Sequence, residues 1–369
     1  MQFIDLAAQY RALGTDIRAN IDKVLEHGKF IMGPEVGELE GELARFAGVA
    51  HAVGCSSGTD ALLLPLMAWG IGPGDAVFTT PFTFIATAEV VSLLGATPVF
   101  VDIDERTFNI DPDKLREKVV ETAAGGELKP KAVIAVDLFG QLADYDAIGD
   151  IAREHGLKVI EDAAQSFGAA HGNRRAGSFG DVAATSFFPA KPLGCFGDGG
   201  AVLTDDAELA ATMDSLRVHG KGGDKYDNVR IGVNARLDTL QAAILLPKLK
   251  ALPGELEARQ RVADRYEAGL TDVVETPYVA DGYRSAWAQY TVMSDDRDGL
   301  QARLKARGVP TAVYYPKPLH LQTAFAPLGH RTGDFPVSES ASSRVVSLPM
   351  HPYMDDATQD EIIAAVRGN

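Results

Sequence analysis

Apolar and polar positions follow two rhythms along the first two thirds of the chain. Short β-branched or apolar runs recur at Ala76–Thr80 ("AVFTT"), Thr97–Asp102 ("TPVFVD"), Lys131–Asp137 ("KAVIAVD") and Leu157–Ala163 ("LKVIEDA"). Two more, Ala183–Phe188 ("AATSFF") and Gly200–Thr204 ("GAVLT"), follow. Near-continuous apolarity over so few residues predicts strands covered on both faces. Amphipathic stretches such as "DYDAIGDIAREHG" lie between them at helical period. The alternation predicts an α/β fold with a mainly parallel sheet, and ligands at the carboxyl ends of its strands.

From about Thr204 the pattern changes. "LDTLQAAILLPKLKAL" and then "GELEARQRVADRYEAGL" predict helices interrupted near Pro253-Gly254. Further on, "AQYTVMS" and "PTAVYYP" read as strands, and "RDGLQARLKARG" and "DATQDEIIAAVRG" as helices. The expected division is residues 1–252, an N-terminal segment with a large domain, and 253–369, a smaller C-terminal α+β domain.

Composition narrows the function classes. The 369 residues are 46% hydrophobic, enough for a sizeable core. Asp and Glu outnumber Lys and Arg by 51 to 35, a formal charge of −16, which argues against a nucleic-acid partner. The two cysteines, Cys55 and Cys195, are too few and too far apart for a zinc framework or a disulfide scaffold, so no metal is expected. "MQFIDLAAQYRALG" lacks the basic-then-apolar order of a signal peptide. "ALLLPLMAWGIG" is too short to span a bilayer. A soluble cytoplasmic protein is expected.

Three stretches bear candidate chemistry. In "GCSSGTDALLL" a short strand ends in a turn and an apolar helix follows. The free N–H groups at the helix start, with the hydroxyls of Ser57 and Thr59, suit an anion such as phosphate. Plain helix capping would use the same residue types. In "KVIEDAAQSFGA", Asp162 falls at the end of a buried strand, where a carboxylate needs a cation or donors. A protonated pyridine nitrogen would serve, with Gln165 in reach of the same ligand; an N-cap is the alternative. In "TSFFPAKPLGCFGDGG", Ser186 ends a strand and Lys191 follows among Phe187, Phe188, Pro189, Pro192 and Phe196. A desolvated amine has a lowered pKa and can form an imine with a carbonyl. A solvated loop lysine is the alternative. Phosphate cradle, buried carboxylate and sheltered amine together are what pyridoxal 5'-phosphate needs.

These stretches, with "GKFIMGPEVGELE", "TFIATAEVVSLLGATPVFVDID", "IGVNARLDTLQAAIL" and "YYPKPLH", resemble the DegT/DnrJ/EryC1/StrS nucleotide-sugar aminotransferases over nearly the whole chain. "NARLDTLQAAILLPKL" and "AQYTV" are most similar to members acting on UDP-2-acetamido-2-deoxy-3-oxo-glucuronic acid. The resemblance implies a fold-type I homodimer with shared active sites. By it, Lys191 holds the cofactor aldehyde, Asp162 pairs with the pyridine nitrogen and Gln165 meets the phenolic oxygen. Gly58, Thr59 and Ser186 hold the phosphate, joined by Asn234 from the other subunit, and Phe84 stacks on the ring. Arg236 would meet the sugar carboxylate, although an intersubunit ion pair suits it equally. Phe30, Met32 and Glu35 lie in a sugar-side loop, and Tyr314 and Tyr315 face the substrate.

The reaction so implied moves an amine from L-glutamate to C3 of a UDP-linked keto sugar, for surface polysaccharide such as O-antigen. Another keto-sugar nucleotide (dTDP- or GDP-linked, at C3 or C4) or a regulator that keeps the fold are the alternatives. Two positions depart from the family pattern. "DLFG" at Asp137–Gly140 stands where many members read "HLYG", and Tyr314 stands where acidic-sugar relatives carry His.

Overall fold

The computed structural model describes residues 1–224 and 226–368. In chain order its strands are β1 (His51–Cys55), β2 (Asp75–Thr79), β3 (Thr97–Phe100), β4 (Lys129–Val136), β5 (Lys158–Asp162) and β6 (Ala170–His171). Then come β7 (Arg174–Arg175), β8 (Val182–Ser186), β9 (Gly200–Thr204), β10 (Tyr283–Arg284), β11 (Tyr290–Met293) and β12 (Val345–Leu348). Seven of them form the main sheet in the order β1-β9-β8-β5-β4-β2-β3. Neighbours from β8 to β3 are parallel; β9 alone is reversed, antiparallel to both β8 and β1.

The buried residues of β4 and β5 explain the apolar runs read from the sequence, because helices cover both faces of the sheet. Helices Gly58–Ala68, Ala86–Leu93 and Ala207–Leu216 close one face through Leu62, Leu66, Val90, Met213 and Leu216. Helices Pro112–Gly125 and Tyr145–His155 close part of the other through Leu115, Val119, Ile148 and Ile151. Helix Pro34–Ala47 and the start of helix Thr239–Leu270 complete it through Leu39, Leu43, Leu245 and Leu252.

Helix Thr239–Leu270 corrects the predicted break at Pro253-Gly254: it runs unbroken through Pro247 and Pro253. A proline cannot donate to the carbonyl four residues back. At Pro247 the carbonyl so released is that of Ala243, and Asn20 Nδ2 donates to it at 3.2 Å. The expected boundary at 252/253 therefore falls inside one helix. Its first half packs under the main sheet. Its second half joins a separate core of Tyr266, Trp287, Tyr290, Leu300, Val346 and Ile362.

That second core is built on the antiparallel pair β11–β12. Here "PTAVYYP" is not a strand; only Ala312 bridges to Ser347, and the partner of β11 is "VVSL". Pro310 and Pro316 bracket the former and interrupt regular pairing. Among the described residues no helix is long and apolar enough to cross a membrane.

Candidate active site

The carboxyl ends of β4, β5 and β8 open into a cavity of about 580 Å³. Gly58, Thr59, Phe84, Asp162, Gln165, Ser186, Lys191, Tyr314 and Tyr315 all line it. Sequence positions more than 250 residues apart thus meet in one space, as the sheet topology requires.

One wall is a close backbone approach. Ser57 caps helix Gly58–Ala68, its Oγ accepting from Asp60 N at 3.1 Å. A Cβ on Gly58 would stand 2.6 Å from Ser186 Cβ, so only glycine lets the helix start reach that strand end. Gly200 makes the approach possible: a side chain there would run into the Ser57 carbonyl, which crosses over it. Register places Ser186, Gly200 and Cys55 side by side across β8, β9 and β1. The helix start, with the hydroxyls of Thr59 and Ser186 lining the same cavity, presents the donors a phosphate needs.

Asp162 ends β5 and is buried. Its Oδ2 accepts from Thr87 Oγ1 at 2.9 Å, and its Oδ1 from Ala164 N at 3.3 Å. Burial raises its pKa, against the Thr87 hydrogen bond and the charge of Lys191. The Lys191 amine shifts the other way, lowered by burial and opposed by Asp162. Each charge therefore steadies the other in a poorly solvated cavity.

The loop holding Lys191 is pinned at several points. Its own N–H donates to Phe188 O at 2.9 Å, and Phe187 exchanges bonds of 2.7 Å with Gly199 and Cys195. Beneath it, Lys248 Nζ donates to Gly194 O, burial bringing its pKa down to about 8. Gln165 Oε1 accepts from Phe139 N at 2.8 Å, while its Nε2 donates to Tyr315 OH at 3.3 Å. Phe84 is 56% exposed, its ring open to the cavity.

The departure at Asp137 has a clear local role. This buried carboxylate accepts from Tyr145 OH and Ala143 N, both at 2.8 Å, and from Ser166 Oγ at 2.7 Å. It ties the turn after β4 to the turn after β5. Burial pushes its pKa up to about 7, against those three bonds.

Asn234, Arg236, Phe30, Met32 and Glu35 do not line this cavity. Asn234 is exposed and accepts from Arg236 Nε at 2.9 Å. The segment with Phe30 and Met32, both exposed, runs beside it through an Ile31–Asp238 bridge. Glu35 is turned away, its carboxylate 3.1 Å from His27 Nε2. Several cavity residues escaped the sequence reading, among them Thr87, the partner of Asp162, and Gln289, just before β11. Thr83 and Thr87 are four apart and 3.2 Å between hydroxyls, a same-face spacing that was there to be read in "TFIAT".

The site residues fit pyridoxal phosphate: a glycine-tight phosphate cradle, a buried carboxylate and a sheltered amine bound one cavity. The model of the DegT/DnrJ/EryC1/StrS aminotransferase family matches residues 11–367. A UDP-2-acetamido-2-deoxy-3-oxo-D-glucuronate aminotransferase of Pseudomonas aeruginosa is 50% identical over 367 residues, 99% of either chain. A DegT DnrJ EryC1 StrS aminotransferase from Brucella abortus superposes with a TM-score of 0.97 at 55% identity, covering 100% of this chain and 99% of that one. The ntda protein of Bacillus subtilis, solved with bound cofactor PMP, gives 0.88 at 32% identity over 97% of this chain and 82% of its own.

Proposed function

From the premise that the chain belongs to the DegT/DnrJ/EryC1/StrS aminotransferase family, as a fold-type I, pyridoxal phosphate-dependent nucleotide-sugar aminotransferase, we propose how its residues divide the work. We assign it the transfer of an amine from L-glutamate to C3 of UDP-2-acetamido-2-deoxy-3-oxo-glucuronate. The shared cavity of Lys191, Asp162 and the Gly58–Ser186 cradle supports the amine transfer, and the 50% identity to a UDP-2-acetamido-2-deoxy-3-oxo-D-glucuronate aminotransferase supports the choice of sugar.

Bound there, pyridoxal phosphate supplies an aldehyde that takes up amines and a pyridinium that withdraws electrons from the bond to be broken. Gly58, Thr59 and Ser186, which line the cavity, would hold the phosphate, and Phe84 would lie against the ring. Asp162 would hold the proton on the pyridine nitrogen, the Thr87 hydrogen bond favouring its ionised form against burial. Lys191 would hold the aldehyde at rest. Burial lowers its pKa and so favours the neutral amine, and Nζ would take the proton from the donor α-carbon and later deliver one to C3 of the sugar. Gln165, its Oε1 fixed by the Phe139 N–H, would offer its amide to the phenolic oxygen. Asn234 and Arg236, outside their own cavity, complete the site of a second copy, Asn234 at the phosphate and Arg236 at the sugar carboxylate. Residues 1–252 carry the cofactor groups, and 253–369 close the cavity through Tyr314 and Tyr315.

The test is Lys191→Ala. Purified protein loses the absorbance of the lysine-bound cofactor and all turnover; normal turnover would remove Lys191 from the mechanism. Assay of a keto-sugar nucleotide panel with glutamate, with the aminated carbon identified in the product, tests the substrate.

A further inference from the structure

Strand β1 is an edge of the main sheet, and Gly54, near its end, stands four residues before Gly58 of the phosphate cradle. One ion pair grips both main-chain groups of Gly54. Its N–H donates to Glu40 Oε1 at 2.8 Å, and its carbonyl accepts from Arg217 Nη1. The same Nη1 donates to Glu40 Oε1 at 2.5 Å, and Arg217 Nε donates to Asp214 Oδ1 at 2.9 Å. Arg217 is only 3% exposed, and a guanidinium so deeply placed needs such acceptors.

The main chain of Arg217 holds a different structure. Val233 N–H donates to Leu216 O at 2.8 Å and Ala235 N–H to Arg217 O at 3.0 Å. Residues 233–237 thus run beside 216–218 as an arm, with a further bridge between Val218 and Asn234. Burial alternates along it: Ala235 and Leu237 are buried, Asn234 is exposed and Arg236 partly so. Leu237 reaches back to the strand, since a Cβ on Gly54 would stand 3.3 Å from Leu237 Cδ2. Strand end, ion pair and arm form one packed unit. Neither Arg217 nor Glu40 lines the active-site cavity, so both act on it only by placing other groups.

We propose that Arg217 is a positioning residue for two sites at once. Its guanidinium sets the phosphate cradle of its own subunit, and its main chain sets the Asn234–Arg236 arm that completes the site of a second copy. This rests on the reading above that Asn234 serves the phosphate of that second site.

Hybrid dimers test it. Pairing a Lys191→Ala chain with a Lys191-bearing chain leaves one site that gives the lysine-bound absorbance. That site has the cradle of the Lys191-bearing chain and the arm of the other. Titration with pyridoxal 5'-phosphate and with pyridoxal measures the affinity that the phosphate adds. The variant is Arg217→Met together with Glu40→Gln, which buries no unpaired charge; Arg217→Lys, which keeps the ion pair, is the milder second. In the Lys191-bearing chain the double change lowers the phosphate's increment about three- to tenfold, as for the loss of one hydrogen bond. In the Lys191→Ala chain it lowers the increment by a similar factor, and Arg217→Lys gives the same pattern at smaller size. A normal increment in either placement overturns the proposal. Equal weakening of pyridoxal and pyridoxal phosphate overturns it too, as a general disturbance of the fold. Asn234→Ala in the Lys191→Ala chain is the control. If it leaves the increment unchanged, or if the chains do not pair, the shared-site reading fails and the proposal with it.

Discussion

Replacing Thr87 by Val removes one hydroxyl at little change in volume. That hydroxyl donates to Asp162 Oδ2 at 2.9 Å. With its proton committed there, Thr87 Oγ1 accepts from Thr83, 3.2 Å away, so two hydroxyls act in series on one carboxylate. A hydrogen bond to a charged group is worth about 1.5–3 kcal/mol, and each 1.4 kcal/mol is about a decade. Burial raises the Asp162 pKa, and the Thr87 bond is the largest influence opposing that rise. The variant therefore lifts it further. Free protein escapes the cost by protonating Asp162, but the form that holds a pyridinium cannot, so the lost bond is felt in cofactor binding. Thr87→Val should bind pyridoxal phosphate about 10- to 100-fold more weakly, with the acid-side fall in affinity beginning at a higher pH than in wild type. Thr87→Ser should restore both. Absorbance titration of cofactor-free protein across pH measures them. Affinity within twofold of wild type at every pH would refute the reasoning.

Two further outcomes follow from the same geometry. Gly58→Ala forces a Cβ to within 2.6 Å of Ser186 Cβ and should weaken pyridoxal phosphate binding at least about tenfold, with partial recovery on adding Ser186→Gly; equilibrium titration of both variants decides it. Asp137 has its pKa raised from 3.8 to about 7, so the unfolded chain ionises there first, and wild-type stability falls as pH rises from about 4 to about 7, then levels. Linkage puts that loss on the order of 4 kcal/mol. Asp137→Asn should show a shallower decline in denaturant midpoint over that window; parallel curves would count against a buried, proton-holding Asp137.

The reacting groups were legible because each sits where a short apolar strand ends, and because their residue types are costly to bury without a purpose. Lys191, Asp162 and Ser186 needed only the strand pattern to be placed on one edge of the sheet. Other features depend on contacts that no local pattern encodes. Helix Thr239–Leu270 survives Pro247 because Asn20, more than 200 residues earlier, satisfies the released carbonyl. "VVSL" was passed over in favour of "PTAVYYP" because both are apolar and only tertiary pairing separates them. Thr87 and Gln289 became visible once a carboxylate and a cavity stood opposite them.

The crossing of the Ser57 carbonyl over Gly200 bears on any attempt to rebuild this site elsewhere. A transplant chosen by what surrounds the cofactor would carry Gly58, Thr59, Asp162, Ser186 and Lys191 and leave Gly200 behind, since it does not line the cavity. Yet with any larger residue at that crossing, the helix start could not come down onto Ser186, and every transplanted group would be present but out of reach. The portable unit for the phosphate cradle is therefore the reversed strand together with its two neighbours, and its least conspicuous requirement is a missing side chain.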